Sequence, residues 1–132
     1  MQSSALRILL VEDFEPFRKL IRSILLDKSG LQIIAEASDG LDAVQKASEL
    51  NPDLILMDIG LPTLNGFDAA RLIRRLSPHP KILFVSQEFS PEIVEEALSL
   101  GDCGYVLKTK LASDLPAAIA AVLHGKTFVS SE

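Results

Sequence analysis

At 132 residues the chain has room for one domain with one ordinary core, a size that buries roughly two-thirds of the surface its unfolded form exposes. A composition of 48% hydrophobic and 23% charged residues, with 7 Gly and 7 Pro, excludes a disordered or fibrous chain, and one cysteine beside two histidines excludes an internal disulfide and a Cys/His zinc site. A net charge of −5 argues against a direct grip on nucleic acid, which needs a cationic surface.

Residues 6–11 form the first apolar run and predict a strand, closed by Glu12-Asp13. Phe14, Phe17, Leu20, Ile21, Ile24 and Leu25 then recur at helical spacing, and Pro16 is tolerable only in the first turn of that helix. Strand two is expected at 31–37, followed by a helix carrying Ala43, Val44, Ala47 and Leu50 that Asn51-Pro52 stops. Strand three, 54–57, runs into Asp58, and Ala69, Leu72, Ile73 and Leu76 mark helix three. Strand four, 81–85, runs into Ser86; Ser90 is placed to cap helix four, with Pro91 in its first position and Ile93, Val94, Ala97 and Leu98 as its stripe. Strand five, 105–107, runs into Lys108. Leu115, Ala118, Ile119, Val122 and Leu123 mark helix five, which Gly125 ends and in which Pro116 again requires the first turn. Cys103 and His79 read as loop or strand-edge residues, and His124 as a helix-end cation.

Strand and helix thus alternate five times, and strands such as 8–11 and 54–57 are apolar on both faces, as strands of a parallel sheet covered by helices must be. The expected fold is a doubly wound α/β sandwich spanning residues 1–125. Residues 126–132, polar apart from Phe128-Val129, are expected to be a tail or the start of a connector to a further domain. The longest run free of strongly polar side chains, 115–123, falls far short of the ~20 residues that cross a bilayer, and Met1-Gln2-Ser3-Ser4 is no signal peptide. No membrane contact is expected, and the expected compartment is the cytoplasm.

Ligands of open parallel sheets bind beyond the carboxyl ends of the strands. Here those ends carry Glu12, Asp13, Asp58, Ser86 and Lys108. Three carboxylates about 4 Å apart would repel by about 4 kcal/mol per pair at an effective dielectric of ~20, so the cluster calls for a cation. Oxygen donors alone suit Mg²⁺, with Mn²⁺ as a substitute, held directly by Asp13 and Asp58. Asp58 is also placed as a nucleophile toward phosphorus, with Lys108 neutralising charge and Ser86 donating a hydrogen bond.

With Glu12-Asp13, Met57-Asp58-Ile59-Gly60-Leu61-Pro62 through Gly66, Ser86, and Gly104-Tyr105-Val106-Leu107-Lys108 in this order at successive strand ends, the sequence resembles the receiver domains of two-component response regulators over nearly its whole length. The resemblance implies a flavodoxin-like sheet of order 2-1-3-4-5. It implies that Asp58 accepts phosphate from the phosphohistidine of a sensor kinase or phosphotransfer protein. Mg²⁺ would be held by Asp13, Asp58 and the backbone carbonyl of Gly60, with Glu12 acting through water. Ser86 and Tyr105 would form the switch, the tyrosine turning from exposed to buried on phosphorylation and re-forming the helix four, strand five, helix five surface for a second receiver or an output domain. The segment Lys108 to Val129, with its Ala-rich fifth helix and its Gly125-Lys126 ending, is similar to receivers of the NarL/LuxR type, in which a C-terminal helix-turn-helix domain binds DNA.

Glu12 stands where the family more often has Asp, Ser86 where Thr is as frequent, and Thr109 where many receivers carry a cis-proline, so no cis bond is expected there. The resemblance implies that Gly60 and Glu88 flank the site where side chains tune the lifetime of the aspartyl phosphate. Self-phosphorylation and self-dephosphorylation without enzymatic turnover are expected. The alternatives are a phosphorylation-independent adaptor, a stand-alone receiver and, ranking below them, an aspartyl-nucleophile phosphatase, which would need a second Asp where Gly60 stands. A flavodoxin-like carrier would need a phosphate loop where Glu12-Asp13-Phe14 would repel one.

Overall fold

The computed structural model describes residues 5–101 and 103–131. Residues 1–4, read above as no signal peptide, and Glu132 of the expected tail lie outside the described residues. Strands β1 (Leu6–Val11), β2 (Leu31–Ala37), β3 (Leu54–Asp58), β4 (Lys81–Ser86) and β5 (Cys103–Leu107) alternate with helices α1 (Glu15–Leu26), α2 (Gly40–Leu50), α3 (Gly66–Leu76), α4 (Pro91–Leu98) and α5 (Leu111–Leu123). The strands lie in the order β2-β1-β3-β4-β5 and every neighbouring pair is parallel, which is the expected fold.

Alternation along each strand divides the apolar side chains between two cores. Leu9, Val11, Ile55, Met57, Ile82 and Phe84 meet Ala43, Ala47, Ala69, Ile73 and Ala97 of α2, α3 and α4. Ile8, Leu10, Leu54, Leu56, Leu83 and Val85 meet Ile21 and Leu25 of α1 and Leu115, Ala118, Ile119 and Val122 of α5. Burying each large aliphatic side chain is worth about 1.5–3 kcal/mol, which is why a chain this short needs both faces filled. The chain winds from β1 outward to β2, then crosses back to β3 on the other side of β1. That reversal opens a crevice at the carboxyl ends of β1 and β3.

The helix ends follow the local chemistry. Pro16 sits in the first turn of α1, Ser90 accepts a hydrogen bond from the Ile93 N–H at 3.2 Å to cap α4, Asn51 ends α2 in the left-handed region, and Gly125 does so after α5. Pro116 departs from expectation, because it lies inside α5 rather than in its first turn. The helix emerges directly from a 3₁₀ turn at Lys108–Lys110 and is anchored by buried Leu111, one turn before the apolar stripe read from sequence begins. Ala112, whose carbonyl Pro116 cannot reach with a donor, is exposed and open to water.

Strand β5 begins at Cys103 rather than Tyr105, with Cys103 and Gly104 in register with Ile82 and Leu83. Part of the segment after Gly125 runs beside β5. Val129 bridges in parallel to Tyr105, the Tyr105 N–H donates to the Phe128 carbonyl at 2.8 Å, and the Ser130 N–H donates to the Tyr105 carbonyl at 2.9 Å. Gly104 permits this approach, since a Cβ there would lie 3.0 Å from the Phe128 carbonyl oxygen and 2.8 Å from Leu83. No described helix is long and apolar enough to cross a membrane.

Candidate functional site

Each strand delivers its last residues to the same rim. Glu12 and Asp13 follow β1, Asp58 and Ser86 close β3 and β4, and Lys108 follows β5. All five, with Gly60, line one crevice of about 320 Å³. The loop after β3 is drawn tight beneath it. Gly66 donates to the Ile59 carbonyl at 2.8 Å, and a Cβ at Gly66 would stand 2.2 Å from the Asp58 carbonyl oxygen, so only glycine fits.

Lys108, its side chain 6% exposed, places Nζ 2.8 Å from Glu12 Oε1 and 3.3 Å from Asp58 Oδ1. The ammonium pairs with Oε1 of Glu12, while Oε2 accepts from the Phe14 N–H at 3.0 Å. Burial pushes the carboxyl of Glu12 above its ordinary range, with Lys108 opposing and the charge of Asp58 adding to the rise. Burial does the same to Asp58, again opposed by Lys108 and reinforced by Asp13. One ammonium therefore pairs with two members of a cluster of three carboxylates, Glu12, Asp13 and Asp58, whose ligand atoms lie within 4.8 Å of one another. Oxygen donors at that spacing, two of them buried and one exposed, fit a hard divalent cation.

Ser86 Oγ accepts from the Glu88 N–H at 3.1 Å. Tyr105 is 0% exposed, its hydroxyl donates to the Glu88 carbonyl, and its ring meets Phe89 edge-on at 6.3 Å. The carbonyl inside the β4–α4 loop satisfies the hydroxyl, and burial raises the phenol's pKa, which keeps it a donor. Ser86 and Tyr105 thus grip the two backbone groups of one residue. The 3₁₀ turn at Lys108–Lys110 contains Thr109, and no cis peptide occurs among the described residues. Gly60 is exposed with open space where a Cβ would be.

Two aromatics of α1's entry were legible only as core. Phe14 and Phe17 stand 5.6 Å apart at the mouth of the crevice, Phe14 is 54% exposed, and Lys108 Nζ lies 4.4 Å from the Phe17 ring centroid. Nothing in an apolar helical stripe distinguishes such a phenylalanine from one that only fills space.

Comparison with known proteins agrees with this geometry. Over 128 residues the chain is 34% identical to the response regulator protein VraR of Staphylococcus epidermidis, covering 97% of this chain and 61% of that protein. It is 31% identical over 129 residues to the transcriptional regulatory protein DegU of Brevibacillus brevis, covering 98% of this chain and 55% of DegU. The chain therefore spans about three-fifths of the length of the curated relatives it matches. A crystal structure of a LuxR-family two-component response regulator from Aurantimonas superposes with a TM-score of 0.87 at 31% identity, covering 96% of this chain and 89% of that one. Residues 8–120 match the model of the response regulator receiver domain, and the chain belongs to that family.

Proposed function

We propose that Asp58 is the phosphoacceptor of this receiver and that its occupancy controls an output. The observation that carries the reading is the convergence of Glu12, Asp13, Asp58, Ser86 and Lys108 on one crevice. A carboxylate oxygen of Asp58 attacks phosphorus, forming an O–P bond as the P–N bond to a donor histidine breaks and the imidazole leaves. Lys108 lies close enough to Asp58 to share the added negative charge, and Ser86 can exchange its acceptor role toward Glu88 for donation to a phosphoryl oxygen. Asp13, Asp58 and the Gly60 carbonyl would hold Mg²⁺, with Mn²⁺ as a substitute and Glu12 acting through water; bound there, the ion supplies charge neutralisation for the transferring group.

The donor is a sensor kinase or phosphotransfer protein, the compartment the cytoplasm, and the chain modifies itself without turning over substrate. The similarity to DegU and to the LuxR-family structure favours transcriptional output through a DNA-binding domain beyond residue 132, with the domain proper ending near 125 and the following segment leading onward. When Ser86 turns, the Glu88 N–H loses its partner, and Tyr105, bonded to the same residue, feels the change. The α4–β5–α5 face is then the surface offered to a second receiver or to the output domain.

Incubation with phosphoramidate and Mg²⁺, read by intact mass, is expected to add one phosphoryl group, lost in Asp58→Asn and in EDTA. An unmodified native chain would leave the adaptor reading. Continuous release of phosphate from many substrates would make the chain a phosphatase.

A further inference from the structure

The ammonium of Lys108 has a third neighbour besides its two carboxylates. Phe17, partly buried against the α1/α5 core, presents its ring to Nζ at 4.4 Å from the centroid. A cation over an aromatic face is attracted by the ring quadrupole, and more strongly where water is excluded, as it is around a side chain 6% exposed. Glu12 sits nearer to Nζ than Asp58 does, 2.8 against 3.3 Å.

We infer that Phe17 is a positioning residue for phosphoryl transfer, its ring confining the Lys108 ammonium to the place from which it reaches both Glu12 and Asp58. The inference rests on the receiver reading for its kinetic consequence and on geometry alone for the contact. Phe17 occupies the first half of α1, and the buried stripe of Ile21 and Leu25 fixes that helix against the sheet. Its ring is therefore set by packing before any ligand arrives. Phe14 meets Phe17 as a tilted pair, ring centroids 5.6 Å apart at 58°. A lysine released from that face would spend part of its time at Glu12 or in water, and the transition state would form with less neutralising charge at Asp58.

The test substitutes Phe17 by Leu, Met, Tyr and the fluorinated phenylalanines, which keep shape while weakening the quadrupole. Phosphorylation by phosphoramidate is expected to slow about three- to tenfold in Phe17→Leu and Phe17→Met. It should stay near native in Phe17→Tyr and fall stepwise along the fluorinated series at unchanged melting temperature. In the native chain the Lys108 Hε protons are expected to show an upfield ring-current shift that Phe17→Leu abolishes. Equal rates in the Leu, Tyr and fluorinated variants, or Lys108 protons at unshifted positions, would overturn the inference. A native chain that takes up no phosphoryl group at all would defeat the receiver reading instead, and the ring-current shift would still decide whether Phe17 holds the ammonium.

Discussion

Asp58 and Glu12 are two buried acids that one lysine serves incompletely, and burial raises the carboxyl pKa of both. A carboxyl whose folded-state pKa lies above its unfolded value binds more protons folded than unfolded. Its contribution therefore costs nothing below the unfolded pKa and removes stability as pH rises through the folded value. In metal-free buffer these two groups are expected to cost the chain stability as pH climbs above the ordinary carboxylate range, set against the usual gains from its surface acids. Asp58→Asn should stabilise the metal-free chain at pH 7 and flatten that decline, as denaturant midpoints across pH will show. Mg²⁺ at tenfold its Kd should add about 1.4 kcal/mol to the native chain, roughly 5 °C in Tm, and much less to Asp58→Asn. A variant melting below the native chain in EDTA, or gaining equally from Mg²⁺, would mean that the acidic cluster is not under electrostatic strain. The site residues themselves were legible in sequence because each ends an apolar run. The role of Phe17 was not, since its signature is that of any core aromatic.

At the scale of elements, the segment after α5 is where pattern reading stopped short. A polar stretch with one apolar pair carries too little periodicity to predict pairing, and what holds it is specific. Ser130, 2% exposed, accepts from the Leu107 N–H at 3.0 Å and donates to Asp114 Oδ2 of α5 at 2.7 Å. The seryl oxygen thus satisfies a backbone donor one residue before Lys108, and the carboxylate satisfies the serine. Ser130→Ala leaves the buried Leu107 N–H without an acceptor and is expected to cost about 1–3 kcal/mol in urea unfolding. Asp114→Asn should cost less, because its amide can still receive the serine proton through Oδ1. Unfolding unchanged in Ser130→Ala would show the segment to be undocked in solution. The same local logic explains Pro116, since periodicity located the stripe of α5 but not the turn by which Lys108–Lys110 feeds into it.

On the scale of the whole molecule the sheet has two unlike edges. Along β2 most side chains are only half-buried, whereas every residue of β5 is buried. The far side of β5 is covered: Tyr105 gives its N–H and its carbonyl to the Phe128–Ser130 segment, and Leu107 gives its N–H to Ser130. The doubly wound sandwich was readable from alternating strand and helix patterns, whereas the strand order that opens the crevice was implied by the resemblance to receiver domains. The asymmetry of the edges was not readable, because it depends on two backbone hydrogen bonds and one to the Ser130 hydroxyl, all from a segment that has no pattern of its own. Local opening follows exposed edges, so amide exchange should rank β2 fastest and β1, β3 and β4 slowest. Tyr105 and Leu107 are expected to exchange at rates close to those of the central strands, despite lying in the last strand of the sheet. Truncation after Gly125 removes their acceptors and should bring both amides toward the β2 rate while leaving Leu56 and Leu83 less affected, measured by residue-resolved hydrogen exchange. Because Tyr105 bonds to Glu88 at the rim and Leu107 adjoins Lys108, loosening β5 should also speed exchange at Glu88, at the far end of the Tyr105 hydroxyl bond. Exchange at Glu88 unchanged by the truncation would separate the docked segment from the acidic rim and confine its role to closing the sheet.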